Sequence, residues 1–386
     1  MIPFFLSFLY FSFFLFNSIY LYAYPNFIGH GYSSCMICHF NPAGNGPLTD
    51  YGRAVSATAV SAKDLYSASM TDEKLAEMSG FFLNQPSANT GIRPSFKIRY
   101  VNYKQNYGDD SQKNESILMQ ATSQLVWNGG SRKQWIMSGD FGYAPDPRAQ
   151  GSKKEDNYRS REHYIGYRFS QSFGLYAGLM DKTFGIKVPE HAAFSRIMTT
   201  NTMNDQVHGL VFHGVSKRFE FFLNPYLGNF AQSSDLRQKG MATTVEYLAS
   251  EKMRLGVSAL NSKSDYLKRQ SYAVHTRIGF EEGNSLLGEY GYVTKSPLNS
   301  STIKSYYGLA QGSLNLRRGL NFMQTFEYLR ADTLTKDYII RFGPSIQYFP
   351  AQRIEARIDL LNSRSFQKDA VSVDRLFIVG QIHLWF

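Results

Sequence analysis

Residues 353–361 read "RIEARIDLL": Ile354, Ala356, Ile358 and Leu360 alternate with Arg353, Glu355, Arg357 and Asp359. A period of two places the first set on one face of an extended strand and the charged set on the other. A helix would scatter both sets around its axis. The C-terminal stretch repeats the pattern, with Leu376, Ile378, Gly380, Ile382, Leu384 and Phe386 on one face and Gln381 and His383 opposite.

Outward from these strands, turn clusters punctuate the chain at regular intervals. The segments between them predict strands at 94–104, 116–127, 132–143, 159–170, 173–184, 206–215, 217–228, 239–249, 252–262, 269–280, 284–294, 303–313, 319–331, 337–348, 352–363 and 374–386. About sixteen antiparallel strands suit a transmembrane β-barrel over 94–386, the fold class expected here. The connections agree: "NYGDDSQKNES" and "APDPRAQGSKKEDN" are long, "NGGS" and "QS" are short, and the alternation is expected to run to the end. In this reading the aliphatic faces meet lipid and the charged faces line a lumen, where Lys97, Arg99, Glu246, Glu327 and Arg341 would set solute selectivity. In the rival, a soluble β-sandwich or barrel, the aliphatic faces turn inward.

A terminal Phe preceded by apolar residues at every second place resembles the C-terminal signal of outer-membrane barrels. The longest connection, "GIKVPEHAAFSRIMTTNTMND" at about 185–205, is of a length usually reserved for function. General porins fold their third outer loop inward. By that resemblance Glu190, His191 and Arg196 are candidates for a constriction.

Composition points the same way. The chain has 26 Tyr and 30 Phe, and its mean hydropathy is nonetheless −0.32, as expected where alternation hides a lipid face from averaging. The 41 Lys and Arg exceed the 31 Asp and Glu for a net charge of +10. They are spread singly along the chain, whereas a nucleic-acid binder would gather them into one patch. No nucleic-acid partner is expected.

Residues 1–23, "MIPFFLSFLYFSFFLFNSIYLYA", carry no charge. They predict a secretory signal cut after Ala23, with a retained membrane anchor as the alternative. Export gives weight to the two cysteines of the chain, both in "CMICH" at 35–39, because a thiol that meets oxidants pairs, binds or reacts. Cys35 and Cys38 lie one helical turn apart and His39 follows directly. Two thioether bonds and a proximal imidazole are what one covalent haem c requires, and haem is the expected cofactor. The alternatives are a Cys35–Cys38 disulfide, a thioredoxin-like redox pair and half a zinc site. The first two leave His39 unexplained, and zinc needs two further ligands.

The flanks predict a small helical c-type cytochrome module over 24–93. Gly44, Gly46 and Pro47 mark a tight loop near His39. Thr71 caps a helix that would carry Leu75, Met78 and Phe82 on one face. Met78, Met70 and His30 are candidate sixth ligands, and an open or water-bound site is the alternative.

Taken together, Cys35, Cys38, His39, the "YGRA" of Tyr51–Ala54 and the barrel pattern resemble the fused monohaem cytochrome-porin family of bacterial outer-membrane proteins, whose best-known members serve iron oxidation. The resemblance implies Cys35 and Cys38 as thioether attachments and His39 as proximal iron ligand. It implies an outer-membrane location, with the haem module periplasmic or inside the lumen. It also implies electron exchange between an extracellular donor or acceptor and a periplasmic carrier, extending to metal-ion oxidation. The alternative is a passive diffusion porin with the haem module as sensor or plug. A homotrimer is expected by analogy with porins. No hydrolytic constellation is present.

Overall fold

The computed structural model describes residues 26–386 except 31, 33, 45, 86–89, 107–111, 146–156, 191, 281–283 and 369–370. The apolar leader expected over 1–23 lies outside the described residues. Among the described residues, seventeen strands form one antiparallel sheet: β1 (Ile92–Asn106), β2 (Gln112–Gly129), β3 (Trp135–Tyr143), β4 (Tyr158–Arg159), β5 (His163–Arg168), β6 (Phe173–Met180), β7 (Val207–Val215), β8 (Phe219–Gly228), β9 (Lys239–Ser250), β10 (Met253–Lys263), β11 (Leu267–Gly279), β12 (Ser285–Pro297), β13 (Ile303–Arg317), β14 (Leu320–Arg330), β15 (Tyr338–Tyr348), β16 (Ile354–Phe366) and β17 (Val373–Trp385).

The sheet closes on itself. β17 pairs with β1, Lys97 lying opposite Trp385 and Asn106 opposite Leu376. At the seam, Phe96 and Phe386 exchange backbone hydrogen bonds of 3.1 and 2.8 Å. β4 and β5 both pair with β3, so they share one place and the wall has sixteen. The strand expected at 159–170 is therefore broken, and Asp140 is the reason. Its Oδ1 accepts the backbone N–H of Arg161 at 2.7 Å and of Glu162 at 2.8 Å, with the Ser160 hydroxyl at 3.1 Å. A carboxylate there gathers donors that a regular ladder would use.

The faces of the wall separate as the period-two pattern requires. Ile358 and Leu360 are 55% and 44% exposed, while Glu355, Arg357 and Asp359 are buried. Leu125, Val257, Val274 and Phe326 likewise point outward, and their neighbours Gln124, Ser258, His275 and Thr325 inward. An outward apolar belt around a polar interior is the reverse of a water-soluble sandwich and matches a barrel solvated by lipid. The soluble alternative is thereby set aside. One expectation about the connections fails: at the end opposite the termini, 264–266 is as short as the turn 216–218 of the other end.

The N-terminal segment lies within this wall. Phe40 is buried in a cluster with Val126, Ile136, Tyr164, Tyr176, Met180, Val211 and Phe222. Burying such a ring contributes roughly 1.5–3 kcal/mol. Lower down, the segment docks on the short turns, with Ala62 N–H on Phe349 O at 2.9 Å, Asp64 N–H on Pro350 O at 3.0 Å and Arg318 Nε on Ser61 O at 2.6 Å. It is less helical than expected, with described α-helices only at Asp50–Val55 and Asp72–Glu77. Thr71 does cap the second, its Oγ1 accepting from Lys74 N–H at 3.2 Å. The face expected to run from Leu75 to Phe82 stops early, because the helix ends at Glu77. Phe82 takes a φ of 50°, is 59% exposed and packs on Phe386 at 5.3 Å, leaving Leu75 as the buried member.

Candidate functional site

The pentapeptide folds as a tight turn. The N–H groups of Cys38 and His39 donate to Cys35 O at 3.2 and 3.0 Å, so the two sulfurs belong to one turn. Ser34 Oγ donates to Glu220 Oε1 of β8 at 2.7 Å and ties the turn to the wall. His39 forms a bridge with Leu48, and Phe40 N–H meets Pro47 O at 3.1 Å, closing the loop between them.

Two glycines of that loop are required by geometry. Gly44 and Gly46 have φ of +77° and +64°, where side chains are disfavoured. A Cβ on Gly44 would stand 3.2 Å from Cys35 Sγ, and one on Gly46 would run into the Glu162 carboxylate. The "YGRA" residues are explained in the same way. Thr49 caps helix Asp50–Val55 by accepting from Gly52 N–H at 3.0 Å, and a Cβ on Gly52 would overlap the Cys38 carbonyl. Asp50 holds Arg93 of β1 through two contacts of 2.6 Å. Arg53 donates to Pro94 O at 2.8 Å.

Cys35, Cys38 and His39 line a lumenal cavity of about 360 Å³ between the N-terminal segment, the wall and the loop after β6. Burial pushes the Cys35 thiol up, and burial followed by the neighbouring Cys35 pushes Cys38 up to about 11. Two thiols and an imidazole brought by one turn to the cavity fit what a covalent haem would need, two attachment points and one proximal ligand. Lys97, Arg99 and Arg353 line the same cavity, and their charge would suit the carboxylates of such a group. Among the described residues, no group of three or more His, Cys, Asp or Glu is placed to hold a metal ion.

The expected sixth ligands do not line this cavity. Met78 caps helix Asp72–Glu77, Met70 closes a turn with its N–H on Ser67 O at 3.0 Å, and His30 ends the short 3-10 helix Asn26–His30. Burial, then Lys252, lowers the pKa of His30. Met203 and His383 do line it. For His383 the signal was present in its lumen-facing register on the last strand. Met203 sits in an irregular loop, where no periodicity marks it.

The loop 181–206 folds into the lumen. Its Ile186 N–H donates to Glu289 Oε2 at 2.5 Å and its Phe194 N–H to Glu327 Oε1 at 2.7 Å. Glu190 Oε1 meets Arg357 at 2.6 Å and accepts from Gln311 Nε2 at 3.0 Å. Burial alone would raise the Glu190 carboxyl, but Arg357 overrides it and holds it below the ordinary range. Asp181 behaves alike: burial opposes its ionisation, yet Lys187 at 3.3 Å and Arg196 bring it to about 2. Arg196 is held within the loop, donating to Val188 O at 2.7 Å and Asn201 O at 2.8 Å. His191 lies outside the described residues. Of the expected lumen charges, Lys97 and Arg99 line the cavity. Glu246 pairs with Arg254 at 3.0 Å and with Arg277, and Glu327 accepts from Arg341 Nε at 2.7 Å.

The sequence matches no protein-family model and no curated relative. Its fold is similar to solved outer-membrane channels. These include the channel DcaP of Acinetobacter baumannii (14% identity, 80% of this chain and 99% of that one, TM-score 0.57) and a trimer form of OmpT of Vibrio cholerae (9%, 76% and 99%, 0.55). A third is the anion-selective porin of Comamonas acidovorans (6%, 76% and 99%, 0.59). At such identities the likeness concerns the fold, and the chain is a porin-like β-barrel.

Proposed function

We propose that the chain is an outer-membrane porin-type channel for small ions and solutes, restricted from within by the N-terminal segment and the loop 181–206. The reading is carried by the contact between Glu190 and Arg357, which ties that loop to the far wall of an outwardly apolar barrel. The solved channels of like fold support it, and the trimer form among them supports a homotrimer here. In this reading the N-terminal segment is the plug and carries one covalent haem, with Cys35 and Cys38 as attachments and His39 as proximal ligand. When bound, the haem supplies a one-electron couple. The protein's part would be to bind and orient it: Ser34 and Gly52 fix the turn, and lining cations such as Lys97, Arg99 and Arg353 would attract its carboxylates.

A second reading is favoured by the position of Cys35, Cys38 and His39 on the lumenal cavity. A hydrocarbon layer of roughly 30 Å is too thick for one useful electron step. A redox group inside the lumen would divide it, linking an extracellular donor or acceptor to a periplasmic carrier as in the cytochrome-porin family. Planar-bilayer recording of the purified full-length protein, beside a haem stain on a denaturing gel, tests both. Conductance steps are expected from the porin. Covalent stain without steps would overturn it in favour of the conduit, and steps without stain would remove the haem.

A further inference from the structure

The described lining of the lumenal cavity is unbalanced, with eight Lys or Arg side chains against three Asp or Glu. Four of the cations are positioned by neutral oxygens. Arg53 donates to Pro94 O at 2.8 Å, Lys97 to Gly46 O at 3.3 Å, Arg196 to Val188 O at 2.7 Å and Arg353 to Ser79 O at 2.7 Å. A carbonyl fixes the place of a cation without cancelling its charge. Elsewhere in the same interior, cations face carboxylates, as Arg254 faces Glu220 at 2.5 Å and Arg357 faces Asp359 at 2.7 Å. Within the cavity Lys187 and Arg277 also face carboxylates, Asp181 and Glu246, and acids stand near Lys97 and Arg196, so the excess of positive charge rests on the count of the lining and on the carbonyl partners of these four cations.

The acids of the lining are already engaged. Asp181 meets Lys187 at 3.3 Å, Glu162 accepts from Asn41 at 3.3 Å, and Asp140 takes the backbone N–H groups of the strand break. The crowding of positive charge also registers on Arg353, whose pKa is lowered to about 10 by burial and then by Arg53. A low-dielectric enclosure lined by one sign of charge concentrates the opposite ion.

We infer that the cation-rich lining of this cavity is a binding site for small anions, chloride or a carboxylate or phosphate group, and that it biases passage toward anions. The inference rests on the porin reading. The anionic group has two sources, a diffusible ion or the propionates of the haem, and the experiment separates them.

Reversal potentials across a KCl gradient would be measured for the full-length wild type, the double variant K97Q/R196Q, the single loop variant R196Q, the charge-preserving R196K and the thiol-free C35A/C38A. The wild type is expected to favour chloride. K97Q/R196Q should lower the chloride-to-potassium permeability ratio by about threefold, and R196Q by less, while R196K keeps it. Heat-shifted mobility on a gel confirms that each barrel is folded, and R196Q, confined to the loop, serves if the wall variant is not. A stronger chloride preference in C35A/C38A than in haem-bearing wild type identifies propionates as the bound anion, and equal preference identifies the diffusible ion. Current without chloride preference in any form overturns this inference alone. Absence of current in every form overturns the porin reading and this inference with it.

Discussion

Glu190 on the inward loop and Arg357 on β16 meet at 2.6 Å in the barrel interior, and Arg357 also holds Asp359 at 2.7 Å. Glu190→Gln removes one carboxylate and leaves the guanidinium its second. The expected loss is roughly 1–3 kcal/mol, less than for a buried charge left alone. The midpoint of heat-induced barrel unfolding should fall and the single-channel conductance should rise as the loop loosens. Unchanged conductance with a lowered midpoint would show that the loop does not limit passage.

Gly52→Val should displace the turn that carries the cysteines, because its side chain enters the space of the Cys38 carbonyl. Overpacking of this kind costs about 1–3 kcal/mol. On the proposal of a covalent haem, the stain per barrel is expected to drop while the heat shift persists. Gly312→Ala is the control: nothing lies within 4 Å of a Cβ there, so stability should stay within about 0.5 kcal/mol of wild type.

Arg318 and Arg353 clasp the lower part of the N-terminal segment, Arg318 reaching Ser61 O, Ala57 O and Asp72, and Arg353 reaching Ser79 O. The pair R318A/R353A should free residues 57–80 from the mouth of the barrel. Trypsin is expected to cleave at Lys63 or Lys74 severalfold faster than in wild type, without loss of the barrel's heat shift. Equal cleavage rates would contradict the docking role.

Burial raises both thiols above their ordinary value of 9.0, Cys38 to about 11. An acid whose folded pKa is raised stabilises the fold fully below the unfolded value, and that contribution is lost as pH rises through the folded one. From about pH 9 to 11 the turn should therefore loosen. Alkylation by iodoacetamide should be slow at neutral pH and climb about tenfold per pH unit up to the Cys38 value. A rate that levels off near pH 9 would show unperturbed thiols.

The wall was legible because period two is a strong signal: in "RIEARIDLL" the charged face is buried and Ile358 and Leu360 lie outside. The break between β4 and β5 was not, since it depends on Asp140 capturing the N–H groups of residues distant in sequence. Helix periodicity misled at Phe82, where Gly80 and the following turn redirect the chain although the apolar spacing continues. At the site, the "CMICH" spacing placed both sulfurs one turn apart, and they do share one turn. What lines the same cavity came from elements far apart in the chain, the lumenal register of His383 and an irregular loop bearing Met203. No local pattern encodes such a meeting.

Phe40 rests against Val126, Ile136, Tyr164 and Tyr176, and these are wall residues that point inward. Their side of the barrel is an apolar shelf shaped for an occupant, where a simple water-filled conduit would carry hydrophilic side chains. Removing the N-terminal segment would therefore yield no wider version of the same channel. It would leave a greasy stripe in contact with water, and the interior would have to collapse, dewet or recruit another ligand to cover it. In this molecule the stopper completes the vessel's inner surface.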